Sequence, residues 1–448
     1  MSSTVAVHRI PDAQQQMWFA SRVSRNPAGY LIPLQLRISG AVDVDALERA
    51  LRAIVARHEV LRTGVGVVDG EVAGVLRDEK EFTLGVRRVD STEELDEVLV
   101  REALLPVDPE TGLPLRAVLV RCAESEWVLA LTVHHLAFDG WSRDLFFEEL
   151  ETLYGELVAG RPAWLAPLAA QYRDLALARE QRESADALAE QVEYWRAALA
   201  GLVPFELPPD RPRPPVRGGQ GDQCAFAVPD TVAADLRRLA LRCHASLHMV
   251  LVAACQVVLG GRAGRRDVTV GSTYSTRDAP GYERAIGLFV NMAVLRGDLS
   301  GDPTFAELVS RTRDTALDGY EARDVPFPQV VRALGAGRDT SRTPLFQILI
   351  DLVARQRRAP ALPGLLVEEL PSRCVGSKYD LSIAFDDSGA NLTAELGWDT
   401  ALYERATMTT LADELRGLLV RVAGAPDMRL SEIRRAGVAD AFAKEDKD

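Results

Sequence analysis

The stretch "WVLALTVHHLAFDGWSRDLFFEEL" (127–150) predicts a strand, a turn and a helix in direct succession. Residues 127–135 form an apolar run that ends at two adjacent histidines, as expected of a strand. Residues 142–160 carry apolar side chains at helical spacing and end at a glycine. A strand that leads directly into a helix is typical of a chain that mixes the two kinds of element.

The same alternation along the rest of the chain predicts an α/β (α+β) protein. Residues 42–63 form an amphipathic helix, and 113–121 form a strand that pairs with 127–135. Further helices are predicted at 185–201, 230–243, 246–260, 303–321, 326–334 and 401–423, and further strands at 267–275, 287–299 and 346–354.

The length and one proline-rich segment predict two domains. A chain of 448 residues is too long for a single ordinary core. The segment "VPFELPPDRPRPPVRGGQGD" (203–222) holds six prolines and three glycines, which exclude a helix or a central strand. We therefore expect domains at 1–178 and 179–448, with a crossing between them near 203–222.

The composition limits the classes of partner and the cellular compartment that are compatible with this sequence. The formal net charge of −13 argues against nucleic acid or an anionic membrane as the main partner. The five cysteines are odd in number and include no CxxC, which argues against a disulfide framework and a zinc knuckle and fits a reducing cytoplasm. The beginning "MSSTVAVHRIPD" lacks the apolar core of a signal peptide. A cytoplasmic protein is expected.

The histidine pair is the first candidate for chemistry. If 127–135 is a strand, His134 and His135 point to opposite faces, so only one of them can enter a given cavity. A histidine with its ordinary pKa of about 6.5 suits the removal of a proton from an amine or alcohol. Asp139 either orients an imidazole or pairs with a distant arginine. Gly140 permits unusual backbone angles and the close approach of a ligand.

The turn after the histidines offers a second chemical feature. Residues 141–143 would form the first turn of the next helix, whose amides could face a developing oxyanion. No serine or cysteine lies in a recognisable nucleophile elbow, so direct acyl transfer is the simplest reaction. Two alternatives stay open: a purely structural role for the pair, and a metal site, which is weaker because the two side chains diverge and no third ligand follows.

"HHLAFDG" (134–140) matches the HHxxxDG signature of nonribosomal peptide synthetase condensation domains. Other stretches resemble that family's motifs in the same order, over nearly the whole chain. These are "AQQQMWF" (13–19), "RHEVLRTGV" (57–65), "YRDLALARE" (172–180), "YWRAALAG" (194–201), "LPPDRPRP" (207–214), "STRDAPGYERAIGLFVNMAVLR" (275–296), "RDVPFPQVV" (323–331), "RDTSRTPLFQ" (338–347) and "SKYDLS" (377–382). The sequence departs from the pattern at Gln16, Ala322 and Pro328, where the family usually has Arg, His and Glu.

The resemblance implies a fold and a site. Two chloramphenicol-acetyltransferase-like lobes would form a V, with the active site in a tunnel between them. The candidate catalytic residues are His134, His135, Asp139 and Gly140. His135 would act on the acceptor nucleophile, Asp139 would be structural and paired with Arg277, and the Gly140 backbone would lie close to the thioester. Candidates for tunnel lining or structural support are Trp141, Ser142, Arg277, Asn291 and Ser377.

The resemblance also implies the partners. A carrier protein would deliver the acyl group on its phosphopantetheine arm, and the acceptor would be a second carrier protein or a small amine or alcohol. The enzyme itself would bind no cofactor and no metal. We expect a free-standing monomer that works in trans, although a domain cut from a larger synthetase is the alternative.

Two other functions are compatible with the motifs. One is an acyltransferase of the same superfamily that uses acyl-CoA or a polyketide carrier with a free alcohol. The other is a non-catalytic module that recruits partner enzymes to a carrier-bound peptide. Such modules tend to have a damaged HHxxxDG, and here the motif is intact.

Overall fold

The chain forms two compact units. The computed structural model describes residues 6–24, 27–182, 184–335, 337, 339–353, 358–370, 376–388 and 391–435. Unit 1 takes residues 1–183, 275–290 and 357–375, and unit 2 takes 184–274, 291–356 and 376–448. Residues 203–222 therefore lie inside unit 2. The two-domain division at 178/179, with a crossing near 203–222, stays a prediction.

Helices and strands alternate in both units, so the predicted α/β class is confirmed. The strands are β1 (Ala6–His8), β2 (Leu31–Ser39), β3 (Thr63–Val68), β4 (Glu71–Leu76), β5 (Leu84–Arg88), β6 (Leu115–Arg121), β7 (Glu126–His134), β8 (Gly221–Val228), β9 (Asp267–Ser275), β10 (Val290–Asp298), β11 (Ile348–Val353), β12 (Leu366–Glu369), β13 (Leu381–Asp386) and β14 (Leu392–Asp399). The helices are α1 (Asp12–Val23), α2 (Val44–Arg57), α3 (Thr92–Leu104), α4 (Gly140–Val158), α5 (Tyr172–Arg182), α6 (Ala185–Ala198), α7 (Asp230–Arg242), α8 (Leu247–Ala263), α9 (Phe305–Glu321), α10 (Phe327–Ala333), α11 (Arg405–Gly424) and α12 (Leu430–Arg435).

Unit 1 is built on a five-stranded sheet in the order β12-β2-β7-β6-β5. Strand β7 pairs antiparallel with both β2 and β6, so the predicted pairing of 113–121 with 127–135 is confirmed. The last paired residue of β7 is His134, opposite Leu31 at the start of β2. A small second sheet, in the order β1-β4-β3, belongs to the same unit.

The apolar run of β7 is explained by burial on both faces. Leu129, Leu131 and Val133 face a core that also holds the apolar stripes of α2 and α4. Val128 and Ala130 face a smaller core beside α3. Since both faces are covered, apolar side chains predominate along this strand, and its one buried polar side chain before His134, Thr132, donates to the Glu102 carbonyl at 3.1 Å.

Helix ends differ from the sequence prediction where a side chain or a turn intervenes. Helix α2 was predicted to start at residue 42 and starts at Val44, because Asp43 is its N-cap and its side chain accepts from the Ala46 amide at 2.9 Å. The helix ends at Arg57 rather than at residue 63, because a short 3₁₀ turn follows at Glu59–Arg62. Helix α4 begins earlier than predicted, at Gly140, with Asp139 as its N-cap.

Unit 2 is built on a six-stranded sheet in the order β10-β9-β11-β13-β14-β8. Helix α8 is buried along most of its length in the core of this unit. Among the described residues, no single helix has both the length and the apolar composition of a membrane span. Helices α7 and α8 meet that test only together, as a pair bent by 104°.

Candidate functional site

The two histidines occupy different structural positions. His134 is the last residue of β7, is 2% exposed, and accepts at Nδ1 from the Leu136 amide at 3.1 Å. His135 has left the strand: it begins a 3₁₀ turn that ends at Ala137, and it is only half-buried. The prediction that His135 is a strand residue is therefore wrong. The reason is that β2 begins opposite His134, so the pairing stops there.

Asp139 is fully committed to holding the turn and the start of α4. Its Oδ1 accepts from the Ser142 amide at 2.7 Å and its Oδ2 accepts from the Phe289 amide at 3.0 Å. Arg277 Nη2 lies 3.0 Å from Oδ1 and 3.1 Å from Oδ2, and the two side chains are 2% and 3% exposed. The sequence left two roles open for Asp139, orienting an imidazole or pairing with an arginine. In the structure Asp139 pairs with an arginine, Arg277.

Besides Asp139, Arg277 contacts two backbone carbonyls and two aromatic rings around this carboxylate. Its Nη1 donates to the carbonyl oxygens of Tyr282 and Ala285, the latter at 2.8 Å. Its guanidinium carbon lies 4.3 Å from the centroid of the Phe289 ring and 5.5 Å from that of Trp141. A planar fork of several donors is needed for this set of contacts, and a lysine could not supply it.

Ser142 connects the helix start to the segment around Gly287. Its Oγ accepts from the Gly287 amide at 3.0 Å and from Arg277 Nη2 at 3.1 Å. The one hydroxyl proton is shared between Asp139 Oδ1, at 2.7 Å, and the Gly287 carbonyl, at 3.0 Å. Ser142 is 0% exposed and its hydroxyl supports this turn, while a tunnel-lining role for it stays a prediction.

Gly287 has to be a glycine because Tyr172 lies against it. A Cβ at this position would lie 2.1 Å from Tyr172 Cδ2. The Tyr172 hydroxyl donates to the Leu288 carbonyl at 3.2 Å, and burial raises the pKa of this phenol, which keeps it a donor. Sequence reasoning did not single out either residue. Both lie in motifs that carried the resemblance, and the glycine was the available signal.

The expected set of oxyanion donors is only partly present. The Ser142 amide is bound by Asp139 Oδ1, and the Arg143 amide donates to the Asp139 carbonyl at 3.3 Å. The prediction that 141–143 supply free amides is thus wrong for Ser142 and Arg143. The cause is the N-cap itself, which uses the donors of the first turn.

Gly140 provides space rather than unusual backbone angles. It is the first residue of α4 and is not among the described residues with a positive φ, so the predicted conformational reason does not apply. A Cβ built on Gly140 would meet nothing within 4 Å, and the residue is exposed. Trp141 is half-buried, and its Nε1 donates to the Glu283 carbonyl at 3.0 Å.

Asn291 and Ser377 lie in unit 2 and hold loops. The Asn291 amide nitrogen donates to the carbonyls of Arg323 at 2.7 Å and Val325 at 2.8 Å, and its oxygen accepts from the Phe327 amide at 3.2 Å. Ser377 Oγ donates to the Tyr379 carbonyl. A tunnel-lining role for either residue stays a prediction.

No group of three or more His, Cys, Asp or Glu side chains that could hold a metal ion occurs among the described residues. The candidate site combines the half-buried His135, the exposed Gly140 and the buried network of Asp139, Arg277 and Ser142 that fixes the turn between them.

The family is identified by comparison with known proteins. The sequence model of the "Condensation domain" family matches residues 7–440. The chain belongs to the condensation-domain family. This confirms the resemblance that the ordered motifs indicated. Condensation domains of nonribosomal peptide synthetases act on phosphopantetheine thioesters bound to carrier proteins.

The relatives of this condensation domain are segments of much larger proteins. It is 36% identical over 430 residues to a linear gramicidin synthase protein of Brevibacillus parabrevis. It is 37% identical over 431 residues to the probable non-canonical nonribosomal peptide synthetase CymA of Salinispora arenicola. Each match covers 94% of this condensation domain but only 8% and 6% of those proteins.

Solved structures share its fold. The X-domain in its complex with OxyB from teicoplanin biosynthesis superposes with a TM-score of 0.85 at 30% identity, over 96% of this condensation domain and 97% of the X-domain. The condensation domain of the Monacolin K polyketide synthase MokA superposes with a TM-score of 0.84, over 96% and 100% of the two chains, at 20% identity. The latter likeness shows the fold alone.

Proposed function

We propose that this condensation domain transfers an acyl or aminoacyl group from a carrier-bound phosphopantetheine thioester to an amine or alcohol, with His135 as the catalytic residue. The observation that carries the proposal is the intact HHxxxDG turn, in which Asp139 and Arg277 are fully used as support. His135 follows directly on this supported strand end and is half-buried, and a Cβ at Gly140 would meet nothing within 4 Å, so the proposal assigns the acceptor to His135 and the thioester to the space at Gly140.

The reaction that fits this site is direct attack on the thioester. The acceptor nitrogen or oxygen bonds to the carbonyl carbon, and the carbon–sulfur bond breaks to release the phosphopantetheine thiolate. His135 takes the proton from the acceptor, or holds the acceptor while the proton moves, and the thiolate is the final proton acceptor. A thioester is already activated, so positioning the two reactants and excluding water provide much of the rate.

The experiment that tests this proposal identifies the product. A panel of acyl and aminoacyl groups, each loaded on a phosphopantetheinylated carrier protein, is offered with amine and alcohol acceptors, and products are detected by mass spectrometry. We expect an amide or an ester from at least one pair. The same acyl groups offered as CoA thioesters test the acyl-CoA alternative, which predicts equal or faster product formation without a carrier.

A second candidate function is recruitment. The observation that favours it is the likeness to the X-domain, which was solved in complex with OxyB. This candidate predicts that no donor gives product while a carrier-bound peptide and a partner enzyme both bind the chain. Binding without turnover across the whole panel would therefore move the conclusion from acyl transfer to recruitment.

A further inference from the structure

His58 lies at the end of α2 and contacts two elements of unit 1. It is 1% exposed. Its Nε2 lies 2.9 Å from Glu149 Oε2 on α4, and its Nδ1 accepts from the Ile286 amide at 3.4 Å. A carboxylate on one side and an N–H on the other require the neutral tautomer with the proton on Nε2.

The Ile286 amide belongs to the segment that holds the HHxxxDG turn. Its neighbour Gly287 bonds to Ser142 through both its amide and its carbonyl. On the other side, the Ala285 carbonyl accepts from Arg277 Nη1 at 2.8 Å. Three residues along, the Phe289 amide donates to Asp139. A shift of Ile286 would therefore displace the partners of the turn that carries His135.

The two contacts of His58 are not equivalent. Glu149 has a second partner, because its Oε1 accepts from Arg57 Nε at 2.9 Å, so its charge stays paired if the imidazole is lost. Ile286 is 1% exposed, and its amide has the imidazole Nδ1 as acceptor. A buried amide that loses its acceptor is unstable in place, so the segment would move to find another partner.

We propose that His58 is a positioning residue for the acyl-transfer site, which it sets by fixing the Ile286 amide from the end of α2. This inference rests on the proposed function and adds a residue outside the HHxxxDG turn. His58 does not touch the reacting atoms. It acts on His135 through the segment 285–289, Ser142 and Asp139.

Two matched variants separate the contacts. His58→Asn keeps an acceptor near the position of Nδ1 and loses the bond to Glu149. His58→Gln keeps a donor near the position of Nε2 and loses the acceptor for Ile286. Both are neutral amides in the same buried site, so their costs in global stability, compared by urea midpoints, are expected to be similar.

The first readout is the single-turnover rate with a carrier-bound donor. We expect His58→Asn to stay within about threefold of the unaltered protein, while His58→Gln is slower by about 10–100-fold with KM for the donor unchanged, since a displacement of about 1 Å at a catalytic group costs about 100-fold. If the role of His58 were merely structural, the single-turnover rates of both variants would fall by the same factor.

The second readout does not depend on activity. Hydrogen exchange at the amides of 285–289 is expected to be unchanged in His58→Asn and about tenfold faster in His58→Gln, because exchange reports local opening. If the unaltered protein makes no product, the proposed function fails, and exchange alone decides whether His58 holds the segment. Equal exchange in the two variants, or a faster reaction in His58→Gln, would overturn the inference.

Discussion

Replacing Asp139 by asparagine is the perturbation whose cost is best defined by the structure. The carboxylate accepts bonds from the amides of Ser142 and Phe289 and pairs with Arg277 at 3.0 Å, with both charged side chains at 3% exposure or less. Asparagine removes the charge and turns one acceptor into a donor that faces existing donors. Breaking a buried ion pair on one side typically costs about 3–5 kcal/mol, and we expect this range for Asp139→Asn.

The same pair can be measured from its other side. Arg277→Met leaves the Asp139 carboxylate with its two amide donors and the Ser142 hydroxyl, so a cost of about 2–4 kcal/mol is expected. In the double variant the costs should fall short of their sum by about 2 kcal/mol, because neither charge is then left unpaired. Asp427→Asn is the control, since Asp427 is 76% exposed in its pair with Arg242 and should cost under about 0.5 kcal/mol.

The assay is urea unfolding followed by near-ultraviolet circular dichroism, with free energies taken from the shift of the midpoint at constant slope. Asp139→Asn and Asp427→Asn are compared in the same buffer. A cost below about 1 kcal/mol for Asp139→Asn, or strict additivity of the two single changes, would refute the account of Asp139 as the buried support of the turn.

Two further predictions concern a glycine and a histidine. Gly287→Ala is expected to lower the free energy of unfolding in urea by more than about 3 kcal/mol, because its Cβ would lie 2.1 Å from the Tyr172 ring. The control is Gly417→Ala, at an exposed helix position with nothing within 4 Å, which should stabilise the protein by up to about 1 kcal/mol. Equal effects of the two changes would contradict the close approach of Tyr172 to Gly287. Burial lowers the pKa of His248, so the unfolded chain binds a proton that the folded protein does not. Stability should therefore fall as the pH drops through about 6.5, the unfolded value, and His248→Gln should reduce that slope in urea midpoints measured at pH 5.5 to 7.5; an unchanged slope would show that other groups cause it.

The elements around the site were predictable because their patterns are local. The apolar run of β7 and the helical spacing of α4 follow from side-chain periodicity alone. The N-cap was also readable, since an aspartate directly before a helix is a favoured cap. That signal would have shown that the Ser142 amide is not free for an oxyanion.

The features that the sequence did not predict correctly depend on contacts between residues far apart along the chain. The strand ends at His134 because β2 begins opposite it, about a hundred residues earlier, and nothing in 127–135 encodes that register. The chemistry of Asp139 left two partners open, an imidazole or a distant arginine, and could not say which arginine. Arg277 was named only through the motif resemblance, and the pair is present.

The contribution of the segments 275–290 and 357–375 to unit 1 was likewise invisible to pattern reasoning. Strand β12, at Leu366–Glu369, pairs with β2 across more than three hundred residues. Such pairing is set by tertiary packing rather than by local propensity.

The most direct test of the central claim is the single-turnover rate of His135→Ala with a carrier-bound donor at saturating acceptor. The control is His244→Ala, an exposed histidine of unit 2, and both proteins are checked for unchanged urea midpoints and carrier binding. We predict a loss of about 10²–10⁴-fold for His135→Ala and none for the control, as expected of a residue that handles the acceptor proton. Equal rates for His135→Ala and the unaltered protein would remove His135 from the chemistry and contradict the account.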